Sequence, residues 1–236
     1  MSPFLPKPDS IQGRFFEPFV GVGAVFFCFE FKGAVLSDLN TELMDLYRGV
    51  RHSPHKVWEK FERFPTTKRG YYLVRNSDTS ALDLASRAAR TLFLNRTCFK
   101  GMWRHNAQGN FNVGYGGQSR RWVIAERDLL VFARQLRTAA LRTADFEEVI
   151  NQAGKGDFLF VDPPYKPGKR EMDDGHYVHA KFSFKDHQRL AKSLHRTSKR
   201  GAHWLLTTSS NPSIRQLFPR NFVYPLRAGF GKLPGF

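Results

Sequence analysis

Phe158-Leu-Phe-Val-Asp-Pro-Pro-Tyr165 is the stretch that decides the reading of this chain. Its first four residues form an apolar run of strand length. The tetrapeptide Asp162-Pro163-Pro164-Tyr165 then falls where that strand leaves a sheet, the place where open α/β sheets put their chemistry. Two successive prolines remove two backbone N–H donors and fix two φ angles. What remains is a rigid rim of acceptors, one carboxylate and nearby carbonyls, beside an aromatic ring. Such an array suits a planar group that carries an exocyclic amine. The carboxylate and a proline carbonyl can each accept one amino hydrogen, while the ring stacks on the flat face. An aromatic amine is a poor nucleophile because its lone pair is delocalised. Holding both hydrogens out of plane draws the nitrogen towards tetrahedral geometry and frees that pair. The plain alternative is a strand followed by a Pro-Pro turn.

Outward from this stretch the pattern alternates. Lys185 to Arg196 predicts a helix, and His203 to Thr207 a further strand. Upstream, Ile124 to Leu136 predicts a helix and Leu141-Arg-Thr143 a strand. The chain opens with a strand over Phe15 to Phe19, a tight turn at Gly21-Val-Gly23 and a helix from Ala24 to Phe29. A second strand, Ala34 to Ser37, ends in Asp38. Asn40 is placed to cap a helix over Thr41 to Val50. This βαβα start is the pattern of a doubly wound parallel sheet. From Pro54 to Asn95 the apolar spacing is helical. Phe99 to Gly117 reads as a loop, with five glycines and three asparagines. A last strand is expected over Phe222 to Leu226. The parse is an α/β domain formed by residues 1–53 and 138–236, interrupted by a basic helical lobe at 54–137.

The 236 residues carry 37 Lys and Arg against 21 Asp and Glu, a formal charge of +16. A polyanionic partner follows, nucleic acid before membrane. The charge is concentrated: Arg63 to Arg137 holds 14 basic against 4 acidic residues. Binding that falls steeply with salt is expected. Cys28 and Cys98 sit in apolar contexts and read as reduced, buried thiols of a cytoplasmic protein. The eight histidines lack metal-ligand spacing, so no metal is expected. The N-terminus shows no apolar signal core. Phe19 to Phe29 is too short to span a bilayer, which takes about 20 residues.

The first βα turn, Glu17-Pro-Phe-Val-Gly-Val-Gly23, is glycine-rich but has no phosphate-binding lysine and no third glycine. Asp38, at the end of the second strand, is where nucleoside-binding sheets place an acid facing ribose hydroxyls; the competing role is a helix cap. A nucleoside cofactor without a pyrophosphate fits both features, and S-adenosyl-L-methionine is one.

Together these features resemble the Dam-like DNA adenine-N6 methyltransferases. Four blocks in the family's order carry the resemblance: Phe16 to Phe26; Leu36 to Leu43; Asn95 to Arg104 with Asn106 and Gly109 to Val113; and Asp162 to Tyr165 followed by His176-Tyr177 and Phe182-Ser183. The resemblance implies a Rossmann-like S-adenosylmethionine-dependent methyltransferase sheet with an inserted helical target-recognition lobe. It implies methyl transfer to a flipped-out adenine in double-stranded DNA, in a bacterial or phage cytoplasm at the nucleoid. Glu17, Phe19, Gly21 and Gly23 would lie near the cofactor's methionine part, Asp38 at its ribose, and Asp145 and Phe146 at its adenine. A helix cap and a core aromatic are the plainer roles of the last two. Asp162 and the Pro163 carbonyl would hold the target amine, with Pro164 stiffening the rim, Tyr165 stacked on the base and Tyr177 closing the pocket. Arg104 is the foremost candidate to read a guanine edge, with a solvated arginine as the plainer role. Lys100, Asn106, Asn112 and Tyr115 are further DNA-binding candidates.

The match has gaps. The family's N-terminal Trp-x-Gly-Gly-Lys segment has no counterpart in the fourteen residues before the first strand, and the C-terminal end departs from the family after Arg227. Either a segment lies outside this sequence, or a homodimer mate or partner chain completes the cofactor site, or activity is weak or absent. Lys100 and Gly114 stand where the family has asparagine and proline, so a GATC target is not assumed. Two other readings are a DNA-binding homologue with a degraded cofactor site and an RNA or protein methyltransferase.

Overall fold

The computed structural model describes residues 4–29, 31, 33–106, 108–164, 182–218 and 223–224. Tyr165, His176 and Tyr177 lie outside the described residues, as does most of the strand expected over 222–226.

Among the described residues five parallel strands form one sheet: β1 (Phe15–Glu17), β2 (Ala34–Asp38), β3 (Ala139–Thr143), β4 (Phe158–Val161) and β5 (His203–Leu206). Their order is β3-β2-β1-β4-β5. The chain builds outward from β1 in one direction and then crosses to β4 on the other side. The carboxyl ends of β1 and β4 therefore bracket the topological switch point, where such sheets open a crevice. Register places Phe15 beside Phe158 and Phe16 beside Leu159. β1 ends at Glu17 because Pro18 has no N–H for the ladder.

Alternate side chains feed two cores. Phe15, Leu36, Phe158 and Phe160 face one. Phe16, Val35, Leu159 and Val161 face the other, against α7 (Phe146–Ile150) and α8 (Phe184–Lys199). The inner strands β1, β2 and β4 are covered on both faces, while the edge strand β3 leaves Ala140, Arg142 and Thr143 exposed. The first face is covered by α1 (Ala24–Cys28), α2 (Thr41–His52), α3 (Pro54–Glu62), α5 (Leu84–Thr97) and α6 (Glu126–Arg137). α4 (Lys68–Arg75) packs beside α5, and α9 (Pro212–Arg215) follows β5. Among the described residues no helix is long and apolar enough to cross a membrane.

Two expectations change. Cys28 is exposed while Cys98 is buried. α1 turns Val25 and Phe26 inward, and Cys28 shares the outer face of Ala24 one turn away. The second concerns residues 99–117, which are more ordered than a loop. Cys98 pairs with Tyr115 and His105 with Phe111 in antiparallel bridges. The intervening chain forms a hairpin turned at Asn106, whose Oδ1 accepts from the N–H groups of Gln108 (3.1 Å) and Asn110 (2.9 Å).

Among the described residues, the segment expected to form a lobe shares its core with the sheet. Val57, Phe61, Ala88, Phe93 and Leu129 join the cluster that holds Phe15, Leu36 and Phe158. Not all of its charge faces solvent. Arg121 is fully buried; Nη2 donates to the carbonyls of Phe61, Glu62 and Phe64 at 3.0, 3.1 and 2.7 Å, and Nη1 to that of Pro65 at 3.0 Å. Its Cζ lies 5.4, 5.2 and 4.8 Å from the centroids of the Phe61, Phe93 and Trp122 rings. This guanidinium knits the α3–α4 connection together.

Candidate active site

At the carboxyl end of β1 the chain must turn sharply into α1. Gly21 and Gly23 both take left-handed φ, +46° and +66°, a region glycine enters without a steric penalty. A Cβ on Gly23 would lie 2.6 Å from the Phe27 ring, whereas one on Gly21 would meet nothing within 4 Å. The turn is thus closed on its helix side and open at Gly21, and Val22 at its apex is 81% exposed.

Three groups hold the turn. Asp38 Oδ2 accepts from Gly21 N–H at 3.1 Å, and its Oδ1 accepts from Asn40 N–H at 2.9 Å. The helix cap is Asn40, which accepts from Leu43 N–H at 3.2 Å, so Asp38 serves the glycine turn instead. Burial pushes the Asp38 carboxyl upward, opposed by these N–H donors. A carboxylate has about four acceptor sites, so two bonds leave capacity for hydroxyls. Tyr47 donates its hydroxyl to the Gly21 carbonyl at 2.6 Å. Its position in the apolar stripe of α2 marks it as core, and nothing in the sequence signals the hydroxyl's use.

Glu17 is the least comfortable group in the crevice. It is 2% exposed and accepts from Phe26 N–H at 3.3 Å, satisfying one of the orphan donors at the start of α1. Burial raises its carboxyl to about 8, with the negative charge of Asp162 adding to the shift. It is therefore mostly neutral at pH 7. The two acids at the ends of β1 and β4 have been separated into one neutral and buried and one exposed to the crevice.

Asp162 follows β4 and is exposed, with Pro163 buried behind it. The Thr207 hydroxyl donates a short hydrogen bond to Asp162 Oδ1, and Thr207 N–H donates to the Val161 carbonyl at 3.0 Å. The parallel register that sets Val161 beside Leu206 carries Thr207 to Asp162. Thr207 was legible only as the last residue of a strand; its partner depends on which strand lies alongside.

Phe19, Phe146 and Phe182 form an aromatic cluster at the same end of the sheet, with centroids 5.2 Å apart for Phe19–Phe146 and 5.7 Å for each contact of Phe182. Phe146 is buried. Asp145 caps α7 through Glu147 N–H at 2.9 Å and pairs with Arg189 at 2.8 Å. The cap and core-aromatic roles thus describe the contacts these two residues make.

In the hairpin, Arg104 Nε donates to Asn112 Oδ1 at 2.9 Å and Asn112 N–H to the Arg104 carbonyl at 3.0 Å. The bond at Nε braces the guanidinium from the side. Asn106 shapes the turn, and Tyr115 packs on Tyr71 with its hydroxyl accepting from Gln118 at 3.2 Å. Lys100 is exposed and takes a left-handed φ of +53°.

Comparison of the sequence with known proteins gives the family. The sequence pattern of the D12 class N6 adenine-specific DNA methyltransferases covers residues 4–226. The chain belongs to this family. It is 36% identical over 209 residues to the DNA N-6-adenine-methyltransferase of Escherichia phage P1, covering 87% of this chain but 28% of that longer protein. It is 33% identical to the type II methyltransferase M.MjaIII of Methanocaldococcus jannaschii, over 84% of this chain and 74% of the relative. It is 30% identical to the DNA adenine methylase of Serratia marcescens, over 82% and 72%. Members of a methyltransferase family use S-adenosylmethionine in general, and a DNA methyltransferase acts on DNA; the parallel sheet is consistent with the Rossmann-like fold.

Proposed function

We propose that the chain transfers a methyl group from S-adenosyl-L-methionine to N6 of an adenine flipped out of duplex DNA. The observation that supports it most directly is the placement of Asp162, held by Thr207, on the strand next to the one that ends in the Glu17–Gly23 turn. When bound, S-adenosylmethionine supplies an electrophilic methyl on a sulfonium leaving group. The residues present fit it. The turn has no cation for a pyrophosphate, its Gly21 side is open, Asp38 retains acceptor capacity for ribose hydroxyls, and Phe19, half-buried over the core ring of Phe146, offers an apolar face.

Asp162 and the Pro163 carbonyl accept the two amino hydrogens of the target base, aim the nitrogen lone pair and favour the positive charge that develops there. Thr207 fixes which Asp162 oxygen points into the crevice. A neutral Glu17 beneath the turn avoids a second negative charge beside Asp162. Extruding the base costs a few kcal/mol, and stacking on Tyr165 returns about 1–3 kcal/mol. Basic residues of the lobe contact phosphates, and Arg104 reads a base edge. The setting is the cytoplasm of a bacterium or phage-infected cell, at the nucleoid.

The test is incorporation of tritiated methyl groups from S-adenosylmethionine into unmethylated duplex DNA, with N6-methyladenine as the product. Asp162→Ala is expected to lose about 100-fold or more in rate while calorimetry shows cofactor binding retained. Unchanged turnover in that variant, or label accepted only by RNA or protein, overturns the reading.

A further inference from the structure

The hairpin that carries Arg104 is joined to the cofactor half of the molecule by a buried polar link that the reaction itself does not use. His105 Nε2 and Glu42 Oε2 lie 2.8 Å apart, and the histidine side chain is 4% exposed. Its ring packs edge-on against Trp103 and Phe111, centroids 6.0 and 5.9 Å away. Glu42 is gripped from a second side by Arg90 Nη1 at 3.4 Å. Arg90, buried, also donates to the carbonyls of Val74 (3.1 Å) and Arg75 (2.7 Å) at the end of α4. Glu42 sits in the first turn of α2, two residues beyond the cap Asn40 and four beyond Asp38, which holds Gly21.

Side chains alternate along the hairpin. Phe111 and Val113 are buried, and His105 lies on their side. Arg104 and Asn112 bond to each other on the opposite side. The base of the hairpin is fastened to α4, because Tyr71 Oη and Arg75 Nη1 both donate to the Val113 carbonyl, at 2.9 and 3.3 Å. Towards the tip, the His105–Glu42 contact reaches α2. The hairpin is thus fastened at its base to α4 and near its tip to α2, two points that together oppose pivoting about the base.

We propose that His105 is a positioning residue for target specificity: through Glu42 it holds the base-reading hairpin in register with the target-base crevice. Bidentate reading of one base demands that the fork be aligned within a narrow range. A hairpin freed at the tip would still meet phosphates but would read its base poorly. The proposal rests on the DNA-methyltransferase reading above, so its test uses binding rather than turnover. Duplexes with a randomised segment are selected on the full chain with S-adenosylhomocysteine present, and the enriched sequences are read.

The wild-type chain is expected to enrich a defined motif. His105→Leu, of similar bulk and without the polar contact, should lower the preference at one position by about tenfold. Total duplex affinity and its salt dependence should hold within about twofold, since they are set by phosphate contacts. His105→Gln, which keeps a donor for Glu42, should restore most of the preference. Glu42→Met, which removes the acceptor, tests the same link from the other side and serves if His105→Leu does not fold. An unchanged motif in a folded His105→Leu or Glu42→Met chain overturns the proposal, as does an even loss of affinity for all sequences. Wild-type selection of a motif without any methylation of it would instead count against the enzyme reading alone.

Discussion

Glu17→Gln should make the protein more stable at neutral pH, and the gain should vanish in acid. The carboxyl has an ordinary value of 4.5 and is raised by burial to about 8 in the folded chain. Below about pH 4.5 it is protonated in both states and contributes no pH dependence. Between 4.5 and 8 the unfolded chain has released the proton while the folded chain keeps it, so stability falls as pH rises. At ~1.4 kcal/mol per pH unit the loss from this group is about 3 kcal/mol by pH 7 and about 5 kcal/mol above pH 8, as orders of magnitude. Glutamine has the shape of the neutral acid and can still accept from Phe26 N–H, but it never has to ionise. For a chain of this size 3 kcal/mol corresponds to a melting shift of roughly 10 °C. The assay is urea unfolding of both proteins between pH 4.5 and 8.5, with the difference in stability plotted against pH. A difference that is constant across the range, or a variant that is weaker at pH 7, refutes the assignment of a buried neutral acid. A destabilising group retained at the switch point also suits a stability–activity exchange, so methyl transfer by the stabilised variant should be slower than wild type.

Thr207→Val removes the hydroxyl that orients Asp162 and keeps the side-chain shape. The bond is solvent-exposed, so about 1 kcal/mol, or roughly fivefold in kcat, is expected with the cofactor Kd unchanged; single-turnover kinetics beside calorimetry would show an error if kcat did not move. Arg121→Leu strands four carbonyls in the lobe and should cost about 3–5 kcal/mol, read as a lower denaturation midpoint. Arg121→Lys should recover only part of that, because an ammonium cannot reproduce the planar fork; a loss below about 1 kcal/mol in Arg121→Leu would show that its bonds are not structural.

Some of this was open to inspection in one dimension. Apolar runs placed the inner strands β1, β2 and β4, because a strand covered on both faces is largely apolar and its neighbours in sequence supply the cover; the edge strand β3, Ala-Ala-Leu-Arg-Thr, is largely exposed and was placed by its position between helical segments. The Gly21-Val-Gly23 turn and Asp162-Pro163-Pro164 were legible because their backbone demands leave few residue choices. What linear order could not supply is adjacency. That Thr207 meets Asp162, that Tyr47 braces Gly21 and that Arg121 is buried depend on which strand or helix lies alongside, and no local propensity encodes that. The basic lobe shows the same division: its charge could be counted from the sequence, but only the packing distinguishes the arginine that holds carbonyls from the arginine braced by Asn112. The hairpin was masked because glycine and asparagine mark turns without saying which residues pair across them. Sequence by itself determined the class of fold and which residues stand at the strand ends, since both follow from local backbone and side-chain preferences. Tertiary structure alone decided the charge of Glu17 and the partners of each polar group, because burial and hydrogen bonding are properties of surroundings contributed by distant parts of the chain.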